Sequence, residues 1–279
     1  MTEDGGQYRP LGAARSAQSQ PVGAALPVSG RPLALVTGGH RRLGGAIAVA
    51  LAQAGYALAI HGSHDTLLDG GMAQLFEEKA TPWQGFVADF TDPEAAEELV
   101  GNVSSAFGRP PDLLVNSAAI FGQDRLSSVT ADDLMRHFAV NCAAPVLLTK
   151  AFATVPAGST DRCIVNILDQ RIAHPHGDQL AYTVSKMALA GLTQISAREL
   201  APQVRVNAVA PGLTIATSDY TDMQMEALTR AMPLDRLPSA SQIADAVLYL
   251  AHATAMTGQV LYVDGGAHMQ SYGRDFMHL

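Results

Sequence analysis

Leu33-Ala-Leu-Val-Thr37-Gly38-Gly39-His40-Arg41-Arg42-Leu43-Gly44-Gly45 reads as a short apolar strand, a glycine-rich turn and the opening of a helix that continues through Ala46-Ile-Ala-Val-Ala-Leu51. Strand, glycine turn and helix in that order make a phosphate-binding unit. The glycines let backbone approach a pyrophosphate, and the first helical turn offers unpaired N–H groups to it. A second apolar run, Ala57–Ile60, follows the helix as the next strand.

The alternation continues outward from this unit. Further strands are expected at Phe86–Asp89, Asp112–Asn116, Ile164–Leu168, Val204–Val209 (running on to Pro211-Gly212) and Val260–Asp264. Helices are expected at Glu94–Phe107, behind the cap Thr91-Asp92-Pro93, and at Ala131–Phe152, Tyr182–Leu200 and Gln242–His252. Strands and helices taking turns predict an α/β fold: a Rossmann-type, doubly wound, seven-stranded parallel sheet in a single domain, residues 31–279. Residues 1–30, rich in Gly, Ala, Ser, Gln and Pro without periodicity, are expected to be a disordered tail. Leu213–Pro238 reads as a long excursion containing Met223, Met225 and Met232.

Composition narrows the function. The net charge of −8 over 279 residues argues against a general nucleic-acid binder, which would be basic. Cys142 and Cys163 have no metal or redox spacing and suit reduced, buried thiols in a cytoplasmic protein. No apolar run reaches membrane-spanning length and no signal-peptide core is present. The nine histidines show no ligand spacing, so no metal is expected.

The chemistry-bearing residues cluster at strand ends. Tyr182 and Lys186 are four apart and share a helix face. A nearby ammonium is expected to lower the tyrosine pKa and make it a usable proton donor. Asp169 ends the preceding strand, within reach of the same pocket. An amide inside a helix, Asn141, can bond backbone and interrupt the ladder. The second strand ends in His61-Gly62-Ser63-His64, without the acid that would meet the ribose hydroxyls of NAD. Arg41, Ser63 and His64 suit a 2′-phosphate instead, which points to NADPH. His61 itself reads as an ordinary loop histidine.

These landmarks together resemble the short-chain dehydrogenase/reductase family: Thr37-Gly38 through Gly44, Asp89, Asn116-Ser-Ala-Ala119, Asn141, Tyr182-x-x-x-Lys186, Pro211-Gly212 and Asp264-Gly-Gly266, in that order. Three departures resemble the pteridine reductase and dihydromonapterin reductase branch. Arg42 replaces the middle glycine of the phosphate loop, Asp169 stands at the usual catalytic serine position, and Phe121 follows the Asn116 motif. The resemblance implies that Gly38, Arg41, Arg42, Leu43 and Gly44 hold the cofactor phosphates and Asp89 the adenine. It implies that Asn116, Ala118, Pro211 and Gly212 line the cofactor site, and that Lys186 holds the nicotinamide ribose. Tyr182 is then the proton donor, assisted by Asp169; Asn141 positions a water or backbone, and Phe121 stacks on a pterin ring.

A pterin is reduced at a ring C=N bond, so a nitrogen takes the proton, and a carboxyl beside Tyr182 can share or relay it. The alternatives are an NADPH-dependent carbonyl reductase for a ketone, quinone or 3-oxoacyl substrate, and a non-catalytic NADP-binding sensor. The family further implies a homotetramer or homodimer. The segment 213–237 is expected to act as a methionine-lined lid, and the run His268–Leu279 to dock on a neighbouring subunit.

Overall fold

β1 (Leu33–Val36) is buried on both faces and paired on both edges, with β2 (Ala57–Gly62) on one side and β4 (Leu113–Asn116) on the other. The computed structural model describes residues 28, 30–156, 161–214 and 221–276. Beyond β2 lies β3 (Trp83–Val87); beyond β4 follow β5 (Arg162–Ile167), β6 (Val204–Pro211) and β7 (Val260–Val263). The order is β3-β2-β1-β4-β5-β6-β7 and every pair is parallel. The chain starts mid-sheet, runs to one edge, then returns to build the other half. The switch lies between β1 and β4, and open α/β sheets bind ligands outside the strand carboxyl ends at such a point.

Helices cover both faces. Ala34 and Val36 point into one core with α1 (Arg42–Gln53), α2 (Gly70–Glu78) and α8 (Ala240–His252). Leu33 and Leu35 point into the other, with α3 (Pro93–Phe107), α5 (Ala144–Thr154) and the end of α6 (Leu180–Glu199). Two buried faces explain why the strands are continuous apolar runs rather than alternating ones.

Several boundaries differ from expectation for physical reasons. β2 extends to Gly62 because β3 pairs along it as far as Gly62↔Val87, so β3 starts at Trp83 and Asp89 lies past its end. α2 opens on two glycines, a weak helix signal, and is fixed by Asp69 accepting from Met72 N at 2.7 Å. The helix expected over 131–152 is three pieces: α4 (Ala131–Phe138), a π-helical stretch Ala139–Ala143 and α5. α8 starts two residues early behind a Ser239/Gln242 capping box.

The proposed disordered tail lies outside the described residues apart from Val28 and Gly30, as do residues 215–220 of the expected lid and 277–279 of the C-terminal run. The rest of the lid segment contains α7 (Asp222–Ala231). Met232, expected in the lid lining, is buried with Leu228, Ala267 and Phe276. The run after β7 packs Tyr272 and Phe276 against its own chain in that same cluster and leaves Met269 exposed.

Candidate active site

The nucleotide side is built mainly from backbone. Thr37 closes β1; its hydroxyl accepts from Ser117 N at 2.9 Å and Ala118 N at 3.0 Å, which ties the phosphate turn to the Asn116 motif. Gly44 packs against the turn so closely that a Cβ there would sit 2.1 Å from Gly38 O. Arg42, where the family usually has glycine, adopts a left-handed φ of 52°, a conformation that costs a side-chain-bearing residue roughly 1–2 kcal/mol. Arg41 occupies the N-cap in extended backbone and makes no side-chain cap, so the first-turn N–H groups of α1 are not occupied by it.

His61 is not a loop histidine. It is buried in β2 and stacked on Phe90 at 4.1 Å. Gly38 N donates to its Nδ1 at 3.2 Å, so a neutral ring carries its proton on Nε2, 2.8 Å from Ala88 O. Burial above all holds its pKa down, to about 4.

This side fits a dinucleotide carrying an extra phosphate. The turn has room only for backbone, Arg41 and Arg42 are exposed, and Ser63 and His64 are joined at 2.8 Å in the exposed stretch past β2. Asp89 lies exposed past β3 and accepts from Thr91 N at 2.9 Å. Asn116 donates to Asn166 Oδ1 at 2.8 Å, while its own Oδ1 is buried without a hydrogen-bond partner among the described residues. Gly212 follows β6 where a Cβ would come within 2.8 Å of Asp264 Cα. A cleft of about 310 Å³ between α1, α2 and α8 is lined by Arg42, Met72 and Asp245 among others, and by none of Tyr182, Lys186, Asp169 and Asn141.

The catalytic side is built from side chains. Tyr182 and Lys186 occupy successive turns of α6, both buried. Tyr182 donates its hydroxyl proton to Asp169 Oδ2 at 3.0 Å, and Lys186 Nζ donates to Ile167 O at 2.7 Å. Burial holds the Lys186 ammonium down to about 8, against the pull of Asp169. The expectation that Lys186 lowers the Tyr182 pKa is overturned. Burial first, then the charge of Asp169, push Tyr182 well above 10, and the cation that opposes them is Arg171. Tyr182 therefore keeps its proton at neutral pH and is an acid in waiting.

Asn141 explains the π-helical interruption. Its Oδ1 accepts from Ile120 N at 2.9 Å; its Nδ2 donates to Ile120 O at 3.0 Å and to Ser185 Oγ at 3.0 Å. Of the two roles expected for it, the geometry displays the backbone one. It clamps the residue before Phe121, and Phe121 stands half-exposed with its ring edge-on to Tyr182 at 4.9 Å.

Sequence reasoning missed Asn166, Arg171, Gln179 and Asp275. Asn166 carries the amide chain from Asn116 to Thr193 Oγ1, and a lone polar residue inside Ile-Val-Asn-Ile was its signal. Arg171 sits two residues after Asp169 in a 3₁₀ turn and is 6% exposed, a degree of burial that an arginine tolerates only with partners.

A family model described as enoyl-(acyl carrier protein) reductase matches residues 39–268. This chain belongs to the short-chain dehydrogenase/reductase family. Within that family, pteridine reductase 1 of Leishmania tarentolae is 32% identical over 281 residues, covering 84% of this chain and 96% of its own. The (3R)-3-hydroxyacyl-CoA dehydrogenase of Rattus norvegicus is 34% identical over 251 residues, covering 85% and 96%. The crystal structure of FolM alternative dihydrofolate reductase 1 from Brucella canis, complexed with NADP, matches with a TM-score of 0.78 at 33% identity, covering 87% of this reductase-family chain and 96% of that one. No helix among the described residues is long and apolar enough to cross a membrane.

Proposed function

We propose that this protein is an NADPH-dependent reductase of pterin-like heterocycles, acting on a ring C=N bond with Tyr182 as proton donor and Asp169 as its partner. The observation that carries this reading is the 3.0 Å bond from the Tyr182 hydroxyl to Asp169 Oδ2, at the position where the family has a serine. A serine hydroxyl donates to a carbonyl oxygen. A carboxylate accepts, and so suits a reaction in which a proton must be shared with or relayed to a ring nitrogen. NADPH, when bound, supplies the hydride. Gly38–Gly44 with Arg41 and Arg42 would hold its phosphates, Asp89, Asn116, Ala118, Pro211 and Gly212 would line its path, and Lys186 would hold the ribose. Phe121, half-exposed beside Tyr182, offers one apolar wall to a flat ring. The likeness to pteridine reductase 1 and to FolM alternative dihydrofolate reductase 1 supports the same substrate class. The reading extends to a homo-oligomer in the cytoplasm; Val184, Met187 and Ile195, exposed along α6, support an intersubunit face.

The test is NADPH oxidation with dihydromonapterin, dihydrobiopterin or dihydrofolate, beside Asp169→Ala and Asp169→Ser. Turnover that collapses in Asp169→Ala while NADPH still binds is the expected result. If Asp169→Ala barely changes pterin reduction and Asp169→Ser raises ketone reduction, the enzyme is a carbonyl reductase. NADPH binding without turnover on any of these substrates would point to a sensor.

A further inference from the structure

Arg171 is held from three directions. Its Nε lies 3.3 Å from Asp169 Oδ1, and its backbone N donates to the same oxygen at 2.9 Å. Nη1 donates to Gln179 Oε1 at 2.6 Å, and Gln179 Nε2 donates to Gln123 Oε1 at 3.1 Å. Nη2 donates to Asp275 Oδ2 at 2.8 Å, across 104 residues of chain. The guanidinium carbon is 5.2 Å from the Tyr182 ring centroid and 5.7 Å from that of Phe121. The C-terminal segment that brings Asp275 is itself latched: Asp275 N donates to Asp178 Oδ2 at 3.0 Å, and Asp178 pairs with Arg125 at 2.5 Å and Arg274 at 3.6 Å.

We propose that Arg171 is the positioning residue of this site: gripped by Asp275 and Gln179, it aims the Asp169 carboxylate at the Tyr182 hydroxyl and makes the C-terminal segment 274–276 part of the catalytic machinery. Asp169 has two oxygens with two tasks. Oδ2 receives Tyr182, and Oδ1 is held by the arginine. A carboxylate held at one oxygen only by a local backbone turn could rotate about its own bonds. The planar guanidinium, fixed at its far end by a second carboxylate, removes that freedom. Arg171 is also the cation that opposes the upward push on Tyr182, a task that reading the sequence assigned to Lys186.

Tyr182 and Lys186 face Asp169 from α6, Arg171 from its own turn and His176 from the loop before α6, and Asp275 shares the Arg171 guanidinium with it from the C-terminal segment. A lysine in place of Arg171 keeps the charge but not the planar fork, and so separates aim from charge. A merely structural role would show in melting and NADPH affinity, whereas loss of aim shows in kcat with both of those kept.

The inference rests on the reductase reading, and its test is chosen to separate the two. Arg171→Met, Arg171→Lys and Asp275→Asn are compared with the parent for melting, NADPH affinity, kcat and KM. Loss of aim in Arg171→Met should lower kcat about 100-fold and leave NADPH affinity and KM near the parent's. Arg171→Lys keeps the charge without the fork, so it should recover only part of kcat. Asp275→Asn keeps volume and a hydrogen-bonding oxygen; it should lower kcat less than Arg171→Met, and it carries the test if Arg171→Met does not fold.

The activity-free readout is the 13C carboxyl resonance of Asp169 at neutral pH in aspartate-labelled protein, assigned by its loss in Asp169→Asn. Its chemical shift should move in Arg171→Met and move less in Asp275→Asn. If the folded variants keep the parent's chemical shift and kcat, the inference is overturned. If the parent reduces no pterin, the reductase reading falls, while the carboxyl resonance still decides the role of Arg171.

Discussion

The two halves of the site are held together by different means. On the nucleotide side, Gly38, Gly44, Thr37 and His61 fix one backbone path, and the side chains expected to meet a nucleotide project from it into solvent. On the catalytic side, the chain Tyr182–Asp169–Arg171–Asp275 joins a helix, a strand end and the C-terminal segment through side-chain atoms. Phosphate recognition needs many N–H groups at fixed spacing, which backbone supplies from consecutive residues. Proton transfer needs one donor and its tuning charges at about 3 Å, which only packed side chains supply. Change on the first side should therefore show in binding and stability, and change on the second in turnover.

The largest effect should come from Tyr182→Phe, which removes the proposed proton donor and keeps the ring. Turnover should fall by about 1,000-fold, within the range for a general acid, with NADPH affinity measured by fluorescence near the parent's. A comparable loss of NADPH affinity would break the division between the halves.

Acid should expose His61 next. The imidazole is held neutral at a pKa of about 4, against 6.5 for an ordinary histidine. Between those values the unfolded chain binds a proton that the native state refuses. Native stability should therefore fall as pH drops from 6.5 towards 4, by about 3 kcal/mol for the full span. Urea unfolding at several pH values measures this, and His61→Gln should flatten the slope.

Gly44→Ala places a methyl 2.1 Å from Gly38 O and so forces the phosphate turn open. Overpacking of this kind costs typically about 1–3 kcal/mol, to be read as a lowered Tm and weaker NADPH binding. The kcat of enzyme saturated with NADPH should move least.

Arg42→Gly should have the smallest effect on stability and the opposite sign. Relief of the left-handed φ of 52° should stabilise by about 1 kcal/mol at most. NADPH affinity should weaken at the same time, most visibly at low salt, because the cation proposed to meet the phosphates is gone. A variant that gains stability and loses no affinity would show that Arg42 does not serve the cofactor.

The halves also differ in how far the sequence disclosed them. The phosphate turn is legible because its parts are consecutive, and the pair Asp169 and Tyr182 because a strand end and a helix start are close in sequence. Asn141 was legible as an interruption, although its partners Ile120 and Ser185 were not. His61 was misread because a buried imidazole with both nitrogens bonded has no local pattern. Lys186 was given the tuning of Tyr182 because spacing shows which residues share a helix face and not how much water each one loses.

The sequence by itself determined the alternation of strands and helices, the phosphate turn, the candidate donor and the family. Each of these is written in hydrophobic period, glycine placement or short spacing, and those act over a few residues. Only the tertiary structure decided that Arg171 holds Asp169, that Asp275 holds Arg171, and that burial outweighs the lysine at Tyr182. Charges interact through space at distances that chain separation does not record, and desolvation depends on everything packed around a group.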